Sequence, residues 1–245
     1  MRCLIIAFPK KRAILMSKRN KLQKFAELDT FTNVYQCHDI KTLELFAAGR
    51  RPVEMRGQWH AHFGNQQPIT LELACGKGDY TLALARCYPE RNFVGVDVKG
   101  ARIWRGAITA LENGLQNVAF LRTRIEKIAA YFGEEEVAEI WITFPDPFLR
   151  DSQSNRRLTA PVFLAEYRRI LQKGGIMHLK TDDPTLYAFT LETLEAEPNC
   201  RILYHDSDIY AKPLPMPELD IKTFYEQDHL SKGRTIKYVR FCFED

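Results

Sequence analysis

The chain has 245 residues, 45% hydrophobic and 27% charged, which suits one sizeable α/β domain or one domain with an appendage. Six scattered cysteines without a Cys-x-x-Cys pair argue against a disulfide framework or a zinc site and fit a reducing cytoplasm, and no apolar run approaches the roughly 18 to 20 residues of a membrane span. The formal charge of +4 is uneven: residues 1–66 hold twelve Lys/Arg against five Asp/Glu, a local +7 that leaves −3 on the rest and suggests a polyanionic partner such as nucleic acid.

Along the chain, Met1 to Ile14 is unlike the remaining residues, and Met16-Ser17-Lys18-Arg19-Asn20-Lys21 makes a natural start, so residues 1–15 read as an upstream extension. Leu4 to Pro9 is too short for a signal peptide. Residues 17–66 are basic, polar and weakly periodic; the expected division is a basic N-terminal extension over 1–66 and a folded domain over 67–245. His60-x-His62 reads as packing or surface histidines, because no carboxylate or cysteine lies at ligand spacing. From Gln67 strands and helices alternate: strands over 69–74, 92–97, 118–121, 137–144 and 176–180, with helices over 79–87, 101–113, 125–132, 158–171 and 186–195. Gly174-Gly175 is placed as the stop of the fourth helix. The tail adds strands over 201–204 and 235–243. This alternation predicts a mostly parallel sheet with helices on both faces, the last strand entering antiparallel. Trp104, Trp141 and His178 read as core, and Pro213–Pro217 as a stiff linker.

The chemistry gathers at the ends of the strands. The first ends in Leu71-Glu72-Leu73-Ala74-Cys75-Gly76-Lys77-Gly78, a small-residue turn that lets backbone approach a ligand. It is neither a Walker loop nor a dinucleotide G-x-G-x-x-G, since Thr81 stands at the third glycine. Glu72 beside the turn disfavours a phosphate and suits a cationic nucleoside. The second strand ends in Gly95-Val96-Asp97, and a carboxylate there can accept both hydroxyls of a ribose. The fourth runs into Thr143-Phe144-Pro145-Asp146-Pro147, where two prolines hold Asp146 stiffly at the sheet's carboxyl end. Cys75 reads as a small buried residue rather than a nucleophile.

These pieces resemble class I S-adenosylmethionine-dependent methyltransferases and, within that class, the bacterial tRNA (guanine-N7)-methyltransferase family. Asn117-Val118, Arg156-Arg157-Leu158, Lys180-Thr181-Asp182 and Thr223-Phe224-Tyr225-Glu226 complete the match, which spans about residues 18 to 243. The resemblance implies a Rossmann-like fold whose mostly parallel seven-stranded sheet has one antiparallel strand. It implies transfer of a methyl group from S-adenosylmethionine to N7 of guanine 46 in the variable loop of tRNA, by a cytoplasmic monomer or homodimer without a metal. It assigns Glu72, Gly76, Gly78, Asp97 and Asp146 to the cofactor, with Asp146 also catalytic. Arg150, Asp182, Thr223, Phe224, Tyr225 and Glu226 would meet substrate; Arg156 and Arg157 would face RNA, helped by the basic arm with Lys18 and Arg19. The sequence departs from the family pattern at Ala74 (a glycine position), at Arg124 (a position often acidic) and after Pro147, where the basic run is thin. Two other readings stand beside it. An amino-directed base methyltransferase would show an acid or amide followed by two prolines, and Asp146-Pro147-Phe148 has one. An RNA-binding protein that kept the fold without activity would not need three strand-end carboxylates.

Overall fold

The computed structural model describes residues 19–244. Helix α1 (Lys21–Leu28) precedes a meander of β1 (Val34–Cys37), β2 (Leu45–Ala47) and β3 (Arg51–Val53), and a short α2 (Trp59–Phe63). Next come β4 (Ile69–Leu73), α3 (Asp79–Cys87), β5 (Asn92–Asp97), α4 (Gly100–Glu112), β6 (Val118–Arg122), a 3-10 segment Ile125–Ala130 and β7 (Val137–Thr143). The chain continues through α5 (Pro161–Arg168), β8 (Leu171–Thr181), α6 (Pro184–Ala196), β9 (Cys200–Asp206), α7 (Phe224–Ser231) and β10 (Lys237–Phe243).

All ten strands join one sheet in the order β3-β2-β1-β6-β5-β4-β7-β8-β10-β9. The seven from β6 to β9 are the expected set, with β10 antiparallel to both neighbours. The other three come from residues 34–53: β1 pairs parallel with β6, and β2 runs antiparallel between β1 and β3. The sheet therefore has ten strands rather than seven, and two of them, β2 and β10, run against the rest. Strand periodicity explains the layering. Leu71, Val96, Leu121, Ile142 and Leu179 face a core shared with Phe163, Leu164 and Tyr167 of α5 and Leu186 of α6. Phe93, Phe120, Trp141 and Tyr238 face a second core with Leu28 of α1, Tyr80 and Leu84 of α3 and Trp104 of α4. His178 is satisfied inside the sheet by Tyr238 Oη at 2.7 Å and Glu139 Oε1 at 2.9 Å, its ring stacked on Trp141.

Gly174 and Gly175 do not stop a helix. α5 ends at Arg168, and β8 is already paired at Leu171 with Val137 before jumping register to pair Ile176 with Glu139. The glycines form that bulge: Gly174 has φ +70°, and a Cβ on Gly175 would lie 2.9 Å from Gln172 O. In the N-terminal segment, Asn20 and Gln23 close a reciprocal cap on α1, and Trp59 Nε1 donates to Tyr131 O at 2.8 Å. His62 Nδ1 lies 2.7 Å from Tyr35 Oη, and His60 Nε2 lies 3.2 Å from Gln67 O. Among the described cysteines, Cys37, Cys75, Cys200 and Cys242 are free.

Candidate active site at the carboxyl rim of the sheet

The chain leaves β4 toward β5 and β6 on one side and returns to β7 and β8 on the other, so the rim between β4 and β7 is the switch point where open α/β sheets bind ligands. Register places Leu73 beside Val96 and Ile142, which brings Ala74–Gly78, Asp97 and Thr143–Asp146 to one edge. The turn after β4 is tightly built. Ala74, Gly76 and Gly78 take φ of +57°, +58° and +71°. A Cβ on Gly78, Gly95 or Gly106 would lie within 2.6 to 2.8 Å of the Phe120 ring, so three glycines let α3, β5 and α4 close on one phenylalanine. A Cβ on Gly76 would meet nothing within 4 Å, so that side of the turn is open to a ligand.

Asp97 fastens the turn. Gly76 N–H donates to its Oδ2 at 2.9 Å and Lys99 N–H to its Oδ1 at 2.7 Å. A carboxylate has roughly four lone-pair positions, so each oxygen keeps one for a diol. Glu72 is buried beneath: its Oε2 accepts from the N–H and hydroxyl of Thr81, its Oε1 from Thr143 Oγ1 at 2.8 Å. Burial raises its pKa to about 7, against the pull of those hydrogen bonds. Burial, with Glu72 and Asp97 nearby, pushes the Cys75 thiol well above its ordinary value, so it is no thiolate.

Asp146 is exposed and carries no hydrogen bond or ion pair to another described residue. The backbone on either side is strained: Phe144 has φ +50° and Phe148 +44°, left-handed values that bulky residues avoid. Phe144 N–H donates to Lys180 O at 2.8 Å, and its ring stacks on His229. Arg150 is exposed, and Arg156 lies over the Phe148 ring at 4.5 Å. Arg157, expected to face RNA, does not. It is 3% exposed, and its guanidinium donates inward to Pro147 O at 3.1 Å and Phe148 O at 3.0 Å. Those carbonyls, freed by the corner, are what draw it inside.

Asp182 shares one oxygen between Arg234 Nη1 at 2.5 Å and His229 Nδ1 at 3.2 Å. The segment 223–226 divides. Thr223 caps α7 by accepting from Glu226 N–H, and Phe224 and Tyr225 stand 63% and 46% exposed at the rim, with Lys77 Nζ 5.4 Å from the Phe224 ring centroid. Glu226 is fully buried, paired with Lys180 Nζ at 2.7 Å and accepting from Tyr210 Oη at 2.6 Å; Lys180 also donates to Leu219 O and Ile221 O. Burial pulls the Lys180 pKa down while Glu226 pulls it up. Glu226 thus anchors α7 rather than presenting an acid to a substrate. His229, Arg234, Lys180 and Tyr210 are the members that sequence reasoning missed; the signal was the buried lysine of Lys180-Thr181-Asp182, which demands a buried anion. Of the arm, Arg19 pairs with Glu27 at 2.5 Å, and Lys18, like residues 1–15, lies outside the described residues.

An open glycine turn, a carboxylate with free lone pairs and a buried acid behind them fit a nucleoside with a ribose diol and a cationic tail better than a phosphate. Residues 66–239 match the model of a family described as "Putative methyltransferase". A tRNA (guanine-N(7)-)-methyltransferase of Christiangramia forsetii is 47% identical over 229 residues, covering 92% of this chain and 99% of that protein. One from Bacteroides thetaiotaomicron is 42% identical over 224 residues, covering 91% and 85%. The chain belongs to the tRNA (guanine-N(7)-)-methyltransferase family. Among solved structures, the 16S rRNA methyltransferase KamB matches with TM-score 0.60 at 13% identity, over 80% of this chain and 98% of that one. A 16S rRNA (adenine(1408)-N(1))-methyltransferase of Catenulisporales acidiphilia matches with TM-score 0.59 at 16% identity, over 81% and 96%. Identities this low speak for the fold alone. For a tRNA (guanine-N(7)-)-methyltransferase family member, the two departures at the rim have physical consequences. Ala74 holds a left-handed backbone that costs a Cβ-bearing residue about 1–2 kcal/mol. Arg124 is turned to its neighbour Glu126 at 3.2 Å.

Proposed function

We propose that this protein transfers a methyl group from S-adenosylmethionine to N7 of a guanine in the variable loop of tRNA, acting in the cytoplasm as a monomer or homodimer. The observation that carries the reading is Asp146: a carboxylate without a hydrogen-bond or ion-pair partner among the described residues, on strained backbone, on the rim that also carries the Glu72–Asp97 cradle. The cofactor supplies an electrophilic methyl on a sulfonium. Asp97 would hold the ribose hydroxyls, the Gly76–Gly78 turn would lie beneath the nucleoside, and Glu72 would favour its positive charge. Guanine N7 presents an acceptor lone pair in the major groove, so no side chain has to remove a proton before attack. The work left to the chain is alignment and charge. Asp146 would stabilise the positive charge that develops on the purine, Asp182 would accept from its N–H edge, and exposed Phe224 and Tyr225 would meet the base once it is turned out of the tRNA. Arg150 and Arg156 would reach the phosphates around it, with Lys18 and Arg19 on the arm. Incubation with bulk tRNA and methyl-labelled S-adenosylmethionine, followed by nucleoside analysis, tests this. Labelled 7-methylguanosine is the expected product; labelled N6-methyladenosine would transfer the case to the amino-directed rival.

A further inference from the structure

The corner that bears Asp146 is unusual in how it is held. Asp146 has no side-chain hydrogen bond or ion pair among the described residues, so the backbone alone sets the direction of its Cα–Cβ bond. Pro145 and Pro147 have no N–H, which removes two of the donors that normally fix a turn. On both flanks a phenylalanine sits at positive φ, and Phe144 does so directly before a proline, where even the right-handed helical region is disfavoured. Such strain persists only where the surroundings over-determine it. On the Phe144 side the restraint is the β7–β8 ladder and the His229 ring. On the Phe148 side Arg156 lies over the ring, and Arg157 holds the main chain, its Nε and Nη2 taking the two consecutive carbonyls that follow Asp146. Its guanidinium lies 4.5 Å from the centroid of the Phe189 ring, so the fork is clamped between the corner and α6, the helix that begins just after Asp182.

We infer that Arg157 is a positioning residue for methyl transfer: it locks the peptide after Asp146 and holds the catalytic corner in register with α6. The inference rests on the proposed role of Asp146. It also reverses the expectation of an RNA contact at this position, because a buried guanidinium facing carbonyls cannot neutralise a phosphate. Lysine keeps the positive charge but lacks the planar fork that spans two carbonyls and stacks on a ring.

The test is Arg157→Lys, measured for kcat with tRNA, for S-adenosylhomocysteine affinity and for the salt dependence of tRNA binding. Misplacing a reacting group by about 1 Å costs on the order of 100-fold. The expected result is a kcat lower by ten- to a hundredfold, with cofactor-product affinity and salt slope both within twofold of wild type. A kcat within twofold would reduce Arg157 to scaffold and overturn the inference; because lysine keeps the charge, contact with RNA is read with Arg157→Gln, whose tRNA salt slope should equal that of wild type, and a slope shallower by about one would restore Arg157 to the RNA and overturn the inference. If Arg157→Lys does not fold, Phe189→Leu carries the test, since it removes only the ring behind the fork: a several-fold loss of kcat with cofactor-product affinity kept supports the inference, and an unchanged kcat overturns it. Wild-type protein that yields no 7-methylguanosine in the same assay would refute the proposed function instead, so the two failures are distinguishable.

Discussion

Replacing Glu72 with glutamine separates its folding cost from its binding role. In the unfolded chain the carboxyl titrates near its ordinary value of 4.5; in the folded protein burial raises it to about 7. The folded state therefore keeps a proton that the unfolded state loses. The stabilisation this brings is fully present below pH 4.5 and drains away as pH rises through about 7. At about 1.4 kcal/mol per pH unit the whole effect is roughly 3 kcal/mol, with about 2 kcal/mol of it falling between pH 5 and pH 7. Glutamine fits the same pocket: its carbonyl can accept from Thr81, and its amide can donate to Thr143 Oγ1, which now acts as acceptor. Urea unfolding of both proteins at pH 5, 6, 7 and 8.5 isolates the group, because every other titration is common to the pair. The stability of Glu72→Gln relative to wild type should climb by roughly 2 kcal/mol from pH 5 to pH 7 and level off above pH 8. A difference that stays flat with pH would refute the reasoning. The bound state shows the other side: a cationic ligand favours the ionised carboxylate, so wild-type affinity for S-adenosylmethionine, measured without tRNA, should rise from pH 6 to pH 8, and the glutamine variant should lose that dependence.

Asp146→Asn should keep S-adenosylhomocysteine affinity within a few fold and lower turnover by at least ~100-fold in a single-turnover methylation assay; equal turnover would remove the carboxylate from the chemistry. Arg156→Gln should weaken tRNA binding and make the plot of log affinity against log salt shallower by about one, and an unchanged slope would place Arg156 away from phosphate. Lys180→Met leaves Glu226 buried without its cation and should cost about 3–5 kcal/mol in urea unfolding; a loss under 1 kcal/mol would mean that Tyr210 alone satisfies the acid. Ala74→Gly relieves a left-handed alanine and should stabilise by up to about 1 kcal/mol once the added unfolded-state freedom is subtracted, whereas destabilisation would show that the φ of +57° costs nothing here.

What the sequence shows and hides depends on how far apart the deciding partners lie. β4, β5 and β7 are mostly apolar runs of five to seven residues, β5 ending in Asp97 while β4 runs into Ala74 and β7 into the Asp146 corner, so strand, rim and candidate ligand are all local features. β1, β2 and β3 are three or four residues each with mixed exposure, too short for alternation to register; they exist because β6 offers an edge that β1 can pair with. The Gly174-Gly175 pair reads as a helix stop because the bulge it makes is defined only against Ala138 and Glu139 on the neighbouring strand. Arg156 and Arg157 are indistinguishable as letters. One lies over a ring near the surface while the other is drawn inward by carbonyls nine and ten residues upstream and a ring on α6. Lys180 and Glu226, 46 residues apart, define each other only in the fold.

The rim carries four acids, and their surroundings give them different capacities. Glu72 is enclosed by hydroxyls and an amide and holds its proton to about pH 7, so it acts on a cation only by ionising against burial. Asp97 has committed one lone pair of each oxygen to backbone N–H groups, which makes it a rigid acceptor and leaves it little freedom to follow a reacting atom. Asp182 is neutralised on one oxygen by Arg234, with His229 Nδ1 beside the same oxygen, so it can read a hydrogen-bond edge but offers a weakened field. Asp146 alone meets no counter-charge and no donor among the described residues. A full negative charge left uncompensated at the rim is electrostatically useful only if it does not wander, since an exposed aspartate free to rotate would be solvated by water instead. The two prolines, the two left-handed phenylalanines and the Arg157 fork limit that wandering to the two side-chain torsions by fixing the main chain around Asp146, without using any of the carboxylate's own lone pairs. That division, restraint from the main chain and charge from the side chain, suits the role proposed for Asp146 in a reaction that needs no general base.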